Sequence, residues 1–240
     1  MKTKQGNVHK TYIRTNDVIQ KLNSIFIVPK KEDVNKIANY LKQAGLEVPI
    51  VIKQNRKQRI LTKLRGNFYD KFNTELCISG MVFLSRLHKL LKDVEIIRQF
   101  KPVSEFSQGM KLRTIWGDTN TSNFLVNINL INKREMVNGI VDYDTISLGS
   151  HSYDVFMALV SFPKNHTYKV WDTMLEAYGC EHCKENKKSL LQKYILIKIK
   201  EISTHGFGLG YFGSKPKKYY KQRIKELNNL YDKSLVWGSV

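Results

Sequence analysis

Between residues 112 and 149 the chain changes character. The stretches on either side carry apolar residues at helical spacing. This one instead holds two short apolar runs, Phe124-Leu125-Val126 and Gly139-Ile140-Val141-Asp142. Runs of this length between turn-forming residues read as strands. Polar segments adjoin both. Gly117-Asp118-Thr119-Asn120-Thr121-Ser122-Asn123 leads into the first, and Asp142-Tyr143-Asp144-Thr145 closes the second. Polar side chains on loops, held by rigid strands, are how sites are usually built. An island of strands within a helical half makes the chain α+β and marks where its chemistry sits.

The rest of the chain supports that class. Residues 11–14 and 18–22 are β-prone, and Asn16-Asp17 between them is a turn signal, so a hairpin is expected. Val34, Ile37, Ala38 and Leu41 recur at helical spacing, and Gly45 falls where a C-cap belongs. Residues 48–52 and 60–64 are further strands, separated by a basic run at 53–59. From Asn73 onward Leu76, Met81, Leu84, Leu87, Leu90 and Leu91 form a long apolar stripe. Helical patterns return at 153–161, 167–178, 187–202 and 217–230. The expected division is a β-rich unit over residues 1–65 and a mostly helical unit over 66–240.

Asp118, Asn123 and Asp142 are oxygen donors of the kind that suit a hard cation such as Mg²⁺. Phosphoryl transfer needs such a set: a carboxylate to orient the attacking hydroxyl, and an Asn and an Asp to hold metal on the phosphates. The order Asp-x4-Asn followed by a later Asp is the order in protein-kinase catalytic and metal loops. Taken singly, each of these residues reads equally well as a turn marker.

Residues 116–125, Trp-Gly-Asp-Thr-Asn-Thr-Ser-Asn-Phe-Leu, resemble the His-Gly-Asp-x4-Asn catalytic loop of the aminoglycoside phosphotransferase and choline kinase family. Residues 139–145 resemble that family's metal loop, and Tyr153-Asp154 the helix after it. Residues 61–66 are similar to the segment joining the two lobes, and 84–91 to the family's Leu-His helix. Residues 6–12 and 20–26 resemble the sugar-kinase branch of N-acetylhexosamine kinase type. The resemblance implies a protein-kinase-like, two-lobed fold with a small, shortened β-rich N-lobe and a larger helical C-lobe. It implies a small-molecule kinase using ATP and Mg²⁺, with Asp118 as catalytic base and Asn123 and Asp142 as metal ligands. It places Gln20, Lys21, Lys63 and Leu64 at the nucleotide, and Asp144 and His151 at the substrate. The implied acceptor is a sugar or amino sugar. A choline-type or aminoglycoside kinase, or a catalytically impaired relative, are the alternatives within the family. Asp154 is expected to tie down a helix.

Three features depart from the family pattern. Trp116 stands where the family has a supporting His. No Gly-rich loop is evident around Gly6. The third strand offers Gln20 and Lys21 in place of a clear phosphate-gripping Lys; on a strand these point to opposite faces, so only one can reach the phosphates. Glu32, at the start of a helix, reads as a dipole-compensating residue.

Charge limits the partners. Lys+Arg 40 against Asp+Glu 21 leaves +19, which favours a polyanionic ligand and counts against a polycationic acceptor. The Lys/Arg runs at 53–59 and around 215–225 read as solvated faces, and no nucleic-acid motif accompanies them. A basic nucleic-acid-binding protein is the alternative outside the family. Three cysteines, an odd number, argue against a disulfide framework, so Cys180 and Cys183 read as incidental and Cys77 as core. No run is long and apolar enough to span a membrane, and residues 1–6 do not read as a signal peptide. The expected compartment is a reducing cytoplasm.

Overall fold

The computed structural model describes residues 2–5, 10–22, 30–92, 112–143, 146–203 and 217–237. Its N-terminal sheet is antiparallel, with strands β1 (Lys2–Gln5), β2 (Lys10–Ile13), β3 (Asp17–Lys21), β4 (Val51–Gln54) and β5 (Gln58–Thr62) in the order β1-β2-β3-β5-β4. The expected hairpin is β2–β3, in register Ile13↔Val18 through Lys10↔Lys21. β1, with the sequence Lys-Thr-Lys-Gln, supplies a strand before Gly6 that no apolar pattern announces. An edge strand needs only backbone pairing on one side, so it can be polar throughout.

Helix α1 (Lys31–Gln43) lies between β3 and β4 and buries Val34, Ile37, Ala38 and Leu41. Asn35 fixes it to the sheet, donating through Nδ2 to Val51 O at 2.9 Å and accepting from Val51 N at 2.8 Å. Gly45, at φ 80°, closes the helix as expected.

The remaining chain is built on α2 (Thr74–Leu91), which Asn73 caps through Leu76 N. Two small sheets follow. β6 (Arg113–Ile115) pairs with β9 (Ser147–Gly149), and β7 (Phe124–Ile128) pairs with β8 (Glu135–Ile140). A 3-10 turn, Thr121–Asn123, runs directly into β7. Helices α3 (His151–Ser161), α4 (Tyr168–Tyr178), α5 (Glu181–Glu185), α6 (Lys187–Glu201) and α7 (Lys217–Leu235) complete the described chain. None of the helices among the described residues is long and apolar enough to cross a membrane.

One apolar core runs from α1 through α2 to the C-terminal helices. Directly beneath the polar loop, Phe124 packs edge-on against Trp116, Phe72, Phe83 and Phe162, with ring centroids 4.7–6.1 Å apart. Burying each such ring is worth about 1.5–3 kcal/mol and gives the loop a rigid floor. The two parts also meet at β8, where Glu47 accepts from Ile140 N at 2.9 Å and its own N–H donates to Asn138 O at 3.0 Å. Gly139 permits this, because a Cβ there would collide with the Glu47 backbone.

Cys180 and Cys183 form a disulfide with Cα atoms 5.2 Å apart, where incidental cysteines were expected. Cysteine parity bears on a framework of distant bridges; it does not exclude a pair inside one helical turn. Cys77 is buried and free as expected, its thiol pushed up to about 12 by burial.

Candidate active site

The loop from Trp116 to Asn123 leaves β6 through Gly117, which sits at φ 89°. Asp154, fully buried on α3, holds it. The carboxylate accepts from Trp116 N at 2.8 Å and Gly117 N at 2.9 Å, and Thr119 Oγ1 donates to the Asp154 carbonyl at 2.9 Å. Asp154 therefore ties down the loop; α3 itself is capped by Ser150. Behind it, His88 Nε2 lies 2.8 Å from Asp154 Oδ2, and His88 Nδ1 lies 2.7 Å from the Tyr178 hydroxyl. His88 thus bridges Asp154 and the Tyr178 hydroxyl through its two ring nitrogens.

Asp118 is fixed by its neighbours. Asn123 Nδ2 donates to Asp118 Oδ2 at 2.7 Å and to the Asp118 carbonyl at 3.1 Å. Asn120 Nδ2 donates to the other carboxylate oxygen, Oδ1. Burial raises the Asp118 carboxyl above the usual range, while the hydrogen bond from Asn123 and the charge of Lys198 on α6 pull it back. A desolvated carboxylate kept in place by amides is a base suited to taking a proton from a bound hydroxyl.

The second loop closes against the first. Val141 N donates to Asn123 O at 2.8 Å, and the Trp116 indole donates to the Asp142 carbonyl at 3.1 Å. Trp116 thus binds the two loops together from a fully buried position. Asp142 adopts φ 55°, a left-handed conformation that is uncommon outside glycine and concentrated at functional sites. Its Oδ1 accepts from Gln20 Nε2 on β3 at 3.2 Å. The structure therefore brings Gln20, Asp118, Asn123 and Asp142 into one linked group. With Asn123 Nδ2 committed to Asp118, the amide Oδ1 and the Asp142 carboxylate are the hard oxygens of this group that could ligate a cation.

Other expected residues lie elsewhere. Lys21 points away from this group, with Nζ 5.4 Å over the Tyr12 ring. Lys63 is exposed and reaches Thr15 O at 3.3 Å, and Leu64 is half-buried beside it. Asp144 lies outside the described residues. The His151 ring stacks on His88 at 4.0 Å and touches Thr114 O at 3.3 Å, so it is taken up by packing. His166 contacts Val160 O at 2.8 Å.

Two cations escaped the sequence reading. Arg59 belongs to the run read as solvated, yet it is only 3% exposed, and its Nε donates to Gln20 Oε1 at 2.5 Å. Its place opposite Gln20 in the β3–β5 register is what buries it, and no local pattern in the run marks that. Lys198 lies over the Tyr153 ring at 5.3 Å, near Asp118. Nothing in its helix pattern marks it.

Two half-buried histidines give the fold an acid limit. Burial, with the charge of His88, holds His151 down to about 3, and burial lowers His166 as well. His151 stays neutral in the folded state where the unfolded chain takes up protons near pH 6.5, and His166 is shifted in the same direction. Stability is therefore full above that pH and falls as pH drops toward 3, by at most ~1.4 kcal/mol per pH unit for each such histidine. Thermal melts from pH 7 to 4 should show a falling Tm, with a shallower slope for His151→Gln.

No protein-family profile and no curated protein matches the chain. Solved structures do. The ADP-bound aminoglycoside phosphotransferase APH(2'')-Ib matches over 93% of this chain and 90% of its own, at 14% identity and TM-score 0.59. A ternary complex of APH(2'')-IIa with streptomycin and ATP matches over 91% and 92%, at 12% identity and TM-score 0.58. A choline/ethanolamine kinase family protein from Mesorhizobium loti matches over 98% and 90%, at 10% identity and TM-score 0.60. The chain has the kinase-like fold of these proteins, with a small sheet-rich N-terminal part and a helical C-terminal part.

Proposed function

We propose that the protein is a small-molecule kinase that moves the γ-phosphoryl group of ATP to a hydroxyl. The observation that carries this reading is the linked group of Asp118, Asn123, Asp142 and Gln20 at the meeting of β3 with the two loops. Asp118 accepts the proton of the attacking hydroxyl. The hydroxyl oxygen bonds to the γ-phosphorus as the bond to the bridging oxygen of ADP breaks. Asn123 and Asp142 hold Mg²⁺, which supplies neutralisation of phosphate charge. Two hard oxygens fit that ion, which usually completes its shell with water and phosphate. Residues 1–65 carry the nucleotide and 66–240 the catalytic loops, with Lys63 and Leu64 at the junction. The structural neighbours support this reading, since their complexes hold ADP, or ATP with streptomycin.

The acceptor is a sugar or amino sugar on the motifs. A +19 chain is poorly suited to a polycation, whose pocket needs carboxylates. A panel of sugars, amino alcohols and aminoglycosides, scored by ADP release, identifies it. Asp142→Ala is expected to remove Mg-ATP binding. At 100 times Kd the nucleotide stabilises the parent by ~2.7 kcal/mol, read as a rise in Tm, and the variant should lose that rise. A parent whose Tm ignores Mg-ATP overturns the kinase reading.

A further inference from the structure

The β7–β8 hairpin ends in the two most exposed large apolar side chains among the described residues, Leu130 at 80% and Ile131 at 94%. Ile128 and Met136, beside them, are exposed as well. Single exposed aliphatics are ordinary on a protein surface, but four on one turn are a patch. The turn itself is firmly made. Asn129 Oδ1 accepts from Ile131 N at 2.9 Å, and Asn132 Oδ1 accepts from Arg134 N at 3.1 Å. Asn129 N donates to Arg134 O at 2.8 Å, and Lys133 N donates to Asn129 O at 2.8 Å. The backbone is thus bonded within the turn, and Leu130 and Ile131 project from it.

Cations and aromatic rings stand around this point. Lys133 and Arg134 are exposed in the turn. Glu135, the one acidic residue of the hairpin, accepts from the Tyr69 hydroxyl. Through that bond the hairpin meets residues 67–71, where Phe68 is 37% exposed and Tyr69 half-buried. Lys71, next along, is exposed and lies close enough to Arg223 on α7 for the two charges to interact, although Arg223 also pairs with Glu226 at 3.1 Å. The chain's excess of +19 adds long-range attraction for an anionic surface.

Two aliphatic side chains on a point are too little for a stable protein interface, which covers about 800 Å² on each partner. A bilayer needs no matching surface, because it closes around what is inserted. Aliphatics at the tip, aromatics behind them and cations alongside match the acyl chains, the interface and the anionic headgroups of a membrane surface. We propose that the β7–β8 tip docks the protein on a bilayer rich in anionic lipid, with Leu130 and Ile131 inserted and Lys133 and Arg134 at the headgroups. The contact is peripheral and reversible: two side chains bury less apolar surface than a single acyl chain, which anchors only weakly by itself. It is independent of the kinase reading.

The test is flotation of the full chain with vesicles of phosphatidylcholine alone or mixed three to one with phosphatidylglycerol. The parent should bind the mixed vesicles and leave the neutral ones largely free. Leu130→Ser with Ile131→Ser should weaken binding fivefold or more, and Lys133→Gln with Arg134→Gln about tenfold. Val82→Ser, which removes an exposed aliphatic from α2, should bind as the parent does. The substituted side chains are all on the surface, so each variant should melt with the parent. A parent that floats with neither kind of vesicle overturns the proposal. Equal binding by the parent and the Leu130/Ile131 variant overturns it too, since the contact then lies elsewhere. A parent that dimerises through the tip and ignores vesicles assigns the patch to a second copy and overturns the lipid.

Discussion

Asp118→Asn should reduce kcat by 10²–10⁴, the usual contribution of a positioned general base, while Mg-ATP affinity stays near that of the parent. The substitution is nearly isosteric and keeps one acceptor oxygen, so one of the bonds from Asn120 and Asn123 survives while the other amide must turn, and the loop keeps its floor of aromatic rings. What it removes is the atom that takes the proton. The measurement is steady-state ADP release with the identified acceptor, beside calorimetry of nucleotide binding. Equal turnover in parent and variant removes Asp118 from the role of base. A parallel loss of binding places Asp118 in nucleotide binding as well.

Asp154→Ala should have the largest effect on the fold. The carboxylate is fully buried and receives Trp116 N, Gly117 N and the His88 ring. Truncation leaves the buried Trp116 N, the part-buried Gly117 N and an imidazole without their acceptor, at about 3–5 kcal/mol for breaking such a buried hydrogen-bonded cluster. For a domain of ordinary stability that is a large fraction of the total. Denaturant unfolding should show a lower midpoint, and whatever folded protein remains should have lost the loop geometry and turnover with it. Asp154→Asn, which keeps one acceptor oxygen, should recover part of the stability. A midpoint unchanged in Asp154→Ala shows that the loop is held by other contacts.

Much of the architecture was legible in the residues. The helical stripes at 34–41 and 76–91, the hairpin at Asn16-Asp17 and the two short strands around the polar loops all match observed elements. Each combines an apolar period with a turn or cap signal, so local preference and tertiary demand agree. β1 and the β6–β9 pair were not legible, because short or polar strands are defined by their partners. Trp116 could be seen only as a departure from a motif; its bond to the Asp142 carbonyl needs both loops in place.

The sequence alone singled out the donor set on which the proposed chemistry rests: an Asp, an Asn and a second Asp on strand-flanked loops, in the order that phosphoryl transfer uses. That follows because residue type and spacing fix which donors a loop can present. Only the tertiary structure decided which cation stands beside them. The sequence read 53–59 as a solvated run and left Gln20 and Lys21 as equals. Pairing β3 with β5 turned Gln20 inward toward Asp142, sent Lys21 to Tyr12, and set Arg59 behind Gln20. Register across a sheet is a long-range property: it depends on which strands meet and on which face is buried, and no local pattern in a basic run encodes it.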